Sequence, residues 1–163
     1  LKKARKAGFG LFNYGVESGS ESVLKSMGKR YKPEEAERVI KDTHKAGIGV
    51  VLNFIVGYPT ESEEDFQKTL DFIARIKDHV LNIAPAHPCD IKYSNIQKHS
   101  DSFNVDFLEN SMKYWKTRDR KVNFLNRQAR EKVFNEFCSS LGIALSCGRD
   151  DRRAMKLGKQ EKP

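Results

Sequence analysis

The sequence has few cysteines, and none is placed to hold a metal. Cys89, Cys138 and Cys147 stand far apart among 163 residues and form no CxxC pair. His87 lies near Cys89, but two ligands on one loop do not make a metal site. An odd number of widely spaced cysteines does not suggest a disulfide framework and suits a reducing cytosol. We therefore predict no metal bound by this chain and a cytoplasmic location.

Long apolar runs are also missing. None approaches the roughly 20 residues that a membrane span needs, and the first residues, LKKARKAG, lack the apolar core of a signal peptide. Hydrophobic residues make up 38% and charged residues 32% of the chain, which is typical of a folded, soluble protein. The chain starts without methionine and its first residues read as the end of a helix. We expect it to be part of a longer protein.

Positive charge is not concentrated over most of the chain. The net charge of +8 permits an acidic partner such as nucleic acid. However, 22 acidic residues are interleaved with the basic ones, and only the tail from Arg149 carries a local excess. A solvated surface and a frayed terminus explain this pattern more simply. The sequence therefore does not favour a nucleic-acid partner, although it leaves one open.

Strand and helix patterns alternate over residues 1–85. The strand candidates are GFGLFNYGV, IGVVLNFIVG and HVLNIAP, and helical patterns separate them. The middle strand is almost continuously apolar, as expected for a strand buried on both faces of a parallel sheet. This order predicts right-handed βαβ units and the α/β class, with a parallel sheet or a barrel.

Helix-capping residues mark the starts of two of these helices. Ser20 is predicted to cap a short helix with its side chain. For the helix in TESEEDFQKTLDFIARIKD, either Thr60 with Glu63 or Ser62 with Asp65 has capping-box spacing.

Regular patterns end near residue 85. Residues 86–163 are predicted to form an irregular loop and a mostly helical extension with a basic tail. The stretch NRQAREKVFNEFCSSLGIAL is predicted to be its last helix, with an inward face formed by Ala129, Val133, Phe134, Phe137 and Leu141. The predicted division is therefore 1–85, the barrel part, and 86–163, the extension.

Functional groups of a parallel βα sheet lie at the carboxyl ends of its strands. Glu17 and Ser18 follow the first strand, and a carboxylate there can accept hydrogen bonds from sugar hydroxyls. Gly15 and Gly19 would let a ligand approach the backbone. It is equally consistent that Glu17 caps a helix or faces water.

The second strand also ends in a turn. Gly57 and Pro59 bend the chain there and direct Asn53 and Ile55 towards the same edge. The alternative is a plain βα connection in which Glu61 only favours the helix N-terminus.

A third turn ends at IAP, residues 83–85, whose exposed backbone could stack against a flat apolar ring.

In their order, these stretches resemble the second half of the radical S-adenosylmethionine (radical SAM) domain. The resemblance covers residues 1–85 and rests on GVESGSESVLKSMGK, a helix, and FIVGYPTES. It is nearest to the branch that often carries a cobalamin-binding domain.

The resemblance implies a partial TIM-like (βα) barrel, the second half of a partial (βα)6 structure whose 4Fe-4S cluster cleaves S-adenosylmethionine reductively to a 5′-deoxyadenosyl radical. It implies that Glu17 and Ser18 contact the ribose or the methionine end of the cofactor. Ile55 and Gly57 would lie against the adenine.

The backbone near Ile83 and Pro85 would supply a second adenine contact. The family's common form of the middle motif is G-x-I-x-G-x-x-E. Here Asn53 replaces the first glycine and Glu61 is one position late, so we interpret Glu61 as a helix cap.

The family's C-x-x-x-C-x-x-C cluster motif is absent from this sequence. We therefore expect the parent protein to be a radical SAM enzyme that uses S-adenosylmethionine, a 4Fe-4S cluster and, as a further candidate, cobalamin. The chain alone is expected to bind no cofactor and to be inactive; its catalytic residues and substrate are not predicted.

Two other hypotheses stay open. One is a stand-alone module that binds a protein or RNA without catalysis. The other is an unrelated βα-barrel enzyme with Glu17 as acid or base, which ranks lowest because no second catalytic group stands at a matching strand end.

Overall fold

The computed structural model describes residues 1–87, 89–108 and 113–146. The helices are α1 Lys2–Lys6, α2 Glu21–Ser26, α3 Pro33–Lys45, α4 Glu63–Ile76, α5 Asn95–Lys98 and α6 Phe124–Ser140, with a 3-10 turn at Lys77–His79. The strands are β1 Leu11–Glu17, β2 Gly49–Phe54, β3 Asn82–Ile83, β4 Val105–Asp106, β5 Lys116–Thr117 and β6 Ala144–Leu145.

The central sheet is parallel and has the order β1-β2-β3-β6. Strand β1 pairs with β2 from Leu11 opposite Gly49 to Gly15 opposite Asn53. A bulge then shifts the register, so that Glu17 lies opposite Phe54. The predicted α/β class and partial barrel are confirmed. Strand β6 was not predicted: the last helix was expected to continue through Leu145, but it ends at Ser140, and Ala144 and Leu145 pair with β3.

The two long helices between the strands begin as the sequence indicates. Helix α3 has Pro33 in its first turn, where a missing N–H costs nothing. Helix α4 has Ser62 as its N-cap, and Ser62 and Asp65 form the capping box. Of the two predicted boxes, the second is therefore the one that forms.

One core joins the residues on both sides of position 85. Phe134, Cys138 and Ile143, in and after α6, are buried with residues of β2, α4 and β3. The core on the barrel side comprises Val16, Ile40, Val50, Leu52, Phe54, Val56, Phe66, Leu70, Phe72, Ile73, Ile76 and Ile83. The predicted division at residue 85 stays a prediction about the domains of the intact protein.

Helix α6 differs from its prediction on one face. Phe134 is buried as predicted, but Val133 is 46% exposed, so its predicted inward position is wrong. Arg127 takes a buried place on this helix instead. A polar side chain gives no apolar periodicity, which explains why the pattern misplaced the face.

A second apolar cluster, here called the upper cluster, is built from residues after β3 together with Val23 and Tyr58. Its members are Val23, Tyr58, Cys89, Ile91, Ile96, Val105, Trp115 and Val122. The antiparallel pair β4–β5 belongs to this region. The stretch expected to be irregular therefore contains short elements and a core of its own.

In the part of the chain that the structure describes, no helix is long and apolar enough to cross a membrane.

Asp65 connects the starts of α2 and α4. Its carboxylate accepts hydrogen bonds from the hydroxyls of Ser20 (2.6 Å), Ser22 (2.7 Å) and Ser62 (2.7 Å). Ser20 occupies the N-cap position of α2 but makes no side-chain cap, so that part of its prediction is wrong. Burial raises the pKa of Asp65, but the three serine hydroxyls and the Ser62 N–H outweigh it and lower the pKa to about 2.

We expect Asp65→Asn to destabilise the fold by about 2 kcal/mol at pH 7, because the lowered pKa is a stabilisation of the folded state by the charged carboxylate. A pKa that is lower in the folded state stabilises the fold at pH values above the unfolded-state pKa. This stabilisation is lost as the pH falls from about 4 to 2. Urea unfolding at pH 7 and pH 3 measures both effects. Asp71→Asn, an exposed change on the same helix, should alter stability by less than about 0.5 kcal/mol. Equal effects of the two changes would contradict the assignment.

Candidate cofactor site at the strand ends

The three predicted turns lie at one edge of the sheet. The Ile55 N–H donates to the Glu17 carbonyl at 2.9 Å, just beyond the paired parts of β1 and β2. The Ala84 N–H donates to the Leu52 carbonyl at 2.8 Å, which places the end of β3 beside β2. Carboxyl ends of adjacent parallel strands therefore meet here, where parallel sheets bind ligands.

Glu17 has an uncommon backbone conformation. Its φ of 68° lies in the left-handed region, which non-glycine residues seldom adopt and which concentrates at functional sites. Its carboxylate folds back over Gly15: a Cβ on that glycine would lie 2.5 Å from Glu17 Oε1. Lys29 Nζ stands 3.2 Å from the same oxygen. The bulge and this ion pair hold a partly exposed carboxylate at the sheet edge.

Tyr31 fixes the same strand end. Its hydroxyl lies 3.0 Å from the carbonyl oxygens of Gly15 and Val16 and donates to them. Lys29 and Tyr31 were not singled out from the sequence, although Lys29 is the last residue of the quoted motif GVESGSESVLKSMGK and Tyr31 lies two positions beyond it. Their spacing after the short helix α2 was the available signal.

Ser18 points away from this edge. Its hydroxyl is buried, lies 3.2 Å from the Thr69 hydroxyl of α4, and accepts the Ser20 N–H at 3.1 Å. Gly19 also faces α4, since a Cβ there would lie 2.7 Å from the Lys68 carbonyl oxygen. The expectation that Gly19 lets a ligand approach is therefore wrong; this glycine lets a helix approach. The predicted cofactor contact of Ser18 stays a prediction, and its hydroxyl already has protein partners.

Ile55 and Gly57 shape the end of β2. Ile55 is half-buried and packs against the upper cluster. Gly57 has φ +73°, and a Cβ there would lie 2.4 Å from Arg127 Cγ. The position therefore requires glycine for its backbone conformation and for its contact with α6.

Glu61 is a buried residue of this turn, and its interpretation as a helix cap is wrong. Its Oε2 accepts the Gly57 N–H at 2.8 Å and pairs with Arg130 Nη1 at 2.9 Å, while Ser62 caps α4. Burial raises the pKa of Glu61 to about 7, against the opposing effects of the Gly57 N–H and Arg130. The glutamate of the motif, although one position late, was the signal for this role.

At the third turn, the Ile83 side chain is buried in the core. The Ile83 carbonyl accepts the Ser146 N–H at 3.0 Å, so the expected exposed backbone is already paired there. Pro85 is half-buried. Asn135 of α6 holds the next residue, Ala86, by accepting its N–H at 3.0 Å.

The described cysteines are buried thiols. Burial raises the pKa of Cys89 and of Cys138 to about 12, which keeps both protonated at neutral pH. Among the residues that the structure describes, no group of three or more His, Cys, Asp or Glu side chains could hold a metal ion. Cys147 and the predicted basic tail from Arg149 lie outside the described residues.

The fold and this edge define a parallel α/β half-barrel whose motif turns meet at one edge of the sheet. Residues 1–73, a little under half of the chain, match the family model described as the radical SAM superfamily, which confirms the predicted resemblance over these residues. S-adenosylmethionine and a 4Fe-4S cluster are the cofactors that this match implies for the parent protein.

Similar proteins carry names of tRNA-modifying enzymes. The chain is 32% identical to a tRNA-2-methylthio-N(6)-dimethylallyladenosine synthase of Petrotoga mobilis over 105 residues, or 60% of this chain and 24% of that enzyme. It is 40% identical to a threonylcarbamoyladenosine tRNA methylthiotransferase of Aquifex aeolicus over 78 residues, or 45% of this chain and 18% of that enzyme. The chain therefore spans less than a quarter of the length of these relatives.

These names bear on two expectations. Both relatives are named for tRNA, which runs against the expectation that a nucleic-acid partner is not favoured. Neither name mentions cobalamin, and cobalamin stays a prediction.

We expect Gly57→Ala to cost more stability than Gly142→Ala. Gly142 has φ +75°, but a Cβ there would meet nothing within 4 Å, so it isolates the conformational cost. That cost is about 1 kcal/mol, whereas the added clash with Arg127 should bring Gly57→Ala to about 3 kcal/mol or more. Urea unfolding of both variants measures the difference. Equal losses would show that Arg127 does not press against the turn.

Proposed function

We propose that this chain supplies the second half of the S-adenosylmethionine site of a radical SAM enzyme. The observation that carries the proposal is the 2.9 Å hydrogen bond from the Ile55 N–H to the Glu17 carbonyl, which joins the two motif turns at one edge. A 4Fe-4S cluster held by the rest of the parent protein would supply the electron for reductive cleavage of the S-adenosylmethionine that this edge would bind.

The residues of this chain would bind and orient the adenosyl group. The partly exposed Glu17 carboxylate suits ribose hydroxyls, which donate hydrogen bonds to it. Ile55 and the backbone at Gly57 suit the flat face of adenine, and Pro85 offers a further apolar surface beside them. Ser18 and Ile83 would support the site indirectly by fixing the strand ends, since their side chains are buried and the Ser18 N–H and the Ile83 carbonyl already have backbone partners.

The proposal predicts that Glu17→Ala weakens S-adenosylmethionine binding by the intact protein about tenfold, the effect of one lost charge-assisted hydrogen bond. Ile55→Ala should weaken it by a smaller factor. Equilibrium dialysis measures both dissociation constants. Glu21→Ala, an exposed carboxylate four residues further on, is the matched control and should bind as the unchanged protein does. Unchanged affinity in Glu17→Ala and Ile55→Ala would refute the site.

We further propose that the intact protein is a methylthiotransferase that acts on tRNA. The names of the relatives support this substrate class, and the net charge of +8 suits a polyanionic substrate. This proposal replaces the expectation that a nucleic-acid partner is not favoured.

The cluster would be held outside the residues described here, so we expect the 163-residue chain to be inactive by itself. The intact protein, reconstituted anaerobically with iron and sulfide and supplied with S-adenosylmethionine as methyl donor, excess sulfide as sulfur source and a strong one-electron reductant, should convert N6-modified tRNA adenosines to methylthio derivatives that mass spectrometry of the nucleosides detects. The 163-residue chain treated in the same way should leave the tRNA unchanged and take up no stoichiometric cluster by absorbance. Unmodified tRNA after incubation with the intact, cluster-loaded protein would rule out this substrate class.

A further inference from the structure

Helix α6 contacts the Gly57–Glu61 turn through the side chain of Arg130. Arg130 Nη1 donates to the Glu61 carbonyl oxygen at 3.0 Å and to Glu61 Oε2 at 2.9 Å. The exposed fractions are 11% for the Arg130 side chain and 0% for the Glu61 side chain. Water therefore does little to screen this ion pair, and it fixes both the backbone and the side chain of Glu61.

Glu61 passes this constraint on to Gly57. The oxygen that pairs with Arg130, Oε2, also accepts the Gly57 N–H at 2.8 Å. The other oxygen, Oε1, is buried without a hydrogen-bond partner. The described donors to the Glu61 carboxylate are Arg130 and the Gly57 N–H, so loss of Arg130 would leave a buried carboxylate that accepts one hydrogen bond, from Gly57. The hydrogen bond from the Gly57 N–H would then hold the Glu61 side chain in the turn without the support of Arg130.

Arg127, one turn earlier on α6, supports the same place. Its guanidinium donates to the carbonyls of Cys89, Lys113 and Trp115 and lies 4.1 Å from the Trp115 ring centroid. Its stem contacts Gly57. Residues of the upper cluster therefore fix the position of Arg127, whose side chain contacts the turn at Gly57.

We propose that Arg130 is a positioning residue for the cofactor: through Glu61 it holds the Gly57 turn in the conformation that receives the adenosyl group. The proposal rests on the proposed function of that turn. It assigns a role in cofactor binding to α6, which lies beyond the family match of residues 1–73.

The test compares Arg130→Met, Arg130→Lys and Lys132→Met in the intact protein. Lys132 is an exposed cation on the same helix and serves as the matched control. Arg130→Met should weaken S-adenosylmethionine binding about tenfold, while kcat at saturating cofactor changes by less than about threefold. Arg130→Lys should recover part of the affinity, because it keeps the charge but loses the planar guanidinium, whose Nη1 contacts Glu61 while Nη2 contacts Glu63. Lys132→Met should bind normally.

A second readout does not depend on the cofactor. Hydrogen exchange of the peptide spanning residues 54–62, measured without S-adenosylmethionine, should be faster in Arg130→Met and unchanged in Lys132→Met. If Arg130→Met does not fold, cofactor binding and hydrogen exchange of the Arg130→Lys variant test the proposal instead.

The outcomes separate the two proposals. If Glu17→Ala weakens cofactor binding but the Arg130 variants do not, the positioning role is wrong and the proposed site stands. Unchanged exchange in a folded Arg130→Met variant would also overturn the positioning role. If no variant at Glu17, Ile55 or Arg130 alters cofactor affinity, the site itself is wrong and the positioning role falls with it.

Discussion

The parallel pairing of β1 with β2, extended past its bulge by the Ile55 N–H to Glu17 carbonyl hydrogen bond, is the constraint on which the rest of the site depends. Two motifs almost 40 residues apart in sequence (Glu17 and Ile55) meet because parallel strands end at the same edge. The bulge matters as well: it changes the register before Glu17, and bulges commonly redirect side chains at binding sites. Without that shift, Glu17 would not lie opposite Phe54.

Two sets of contacts hold this edge, one made by Asp65 at the start of α4 and one made by the arginines of α6. Asp65, in the first turn of α4, accepts hydrogen bonds from Ser20 and Ser22 at the start of α2 and so ties that helix start to α4. Arg130 and Arg127 of α6 hold the turn that precedes α4. Burying two arginines is unfavourable unless their N–H groups find acceptors. Arg127 finds three backbone carbonyls and an aromatic ring, and Arg130 finds a carboxylate, so both arginines are largely compensated.

Local chemistry made the barrel part predictable from the sequence. The apolar run of β2, the Ser62–Asp65 capping box and the turn at Gly57 are encoded within a few residues each, and the structure contains all three. Position 61 was harder, because the same glutamate can serve as a surface residue near a helix start or as a buried carboxylate. Only its partner decides, and Arg130 lies 69 residues further along the chain. Strand β6 and the buried Arg127 were missed for the same reason: long-range contacts define them, not periodicity.

Asp65 and Glu61 lie four residues apart and respond to burial in opposite ways. Asp65 has three hydroxyl donors and the Ser62 N–H, so its charge is stabilised and its pKa falls to about 2. Glu61 has the Gly57 N–H and one arginine, while Oε1 has no partner, so burial prevails and raises its pKa to about 7. By linkage, the Asp65 contribution to stability is constant above about pH 4, whereas the contribution of a raised carboxyl pKa declines as pH increases towards 7. The scaffold that positions α4 is thus indifferent to pH near neutrality. The Gly57 turn depends instead on one Glu61 carboxylate oxygen shared by the Gly57 N–H and Arg130, so its geometry relies on a single buried ion pair and not on several hydroxyl donors.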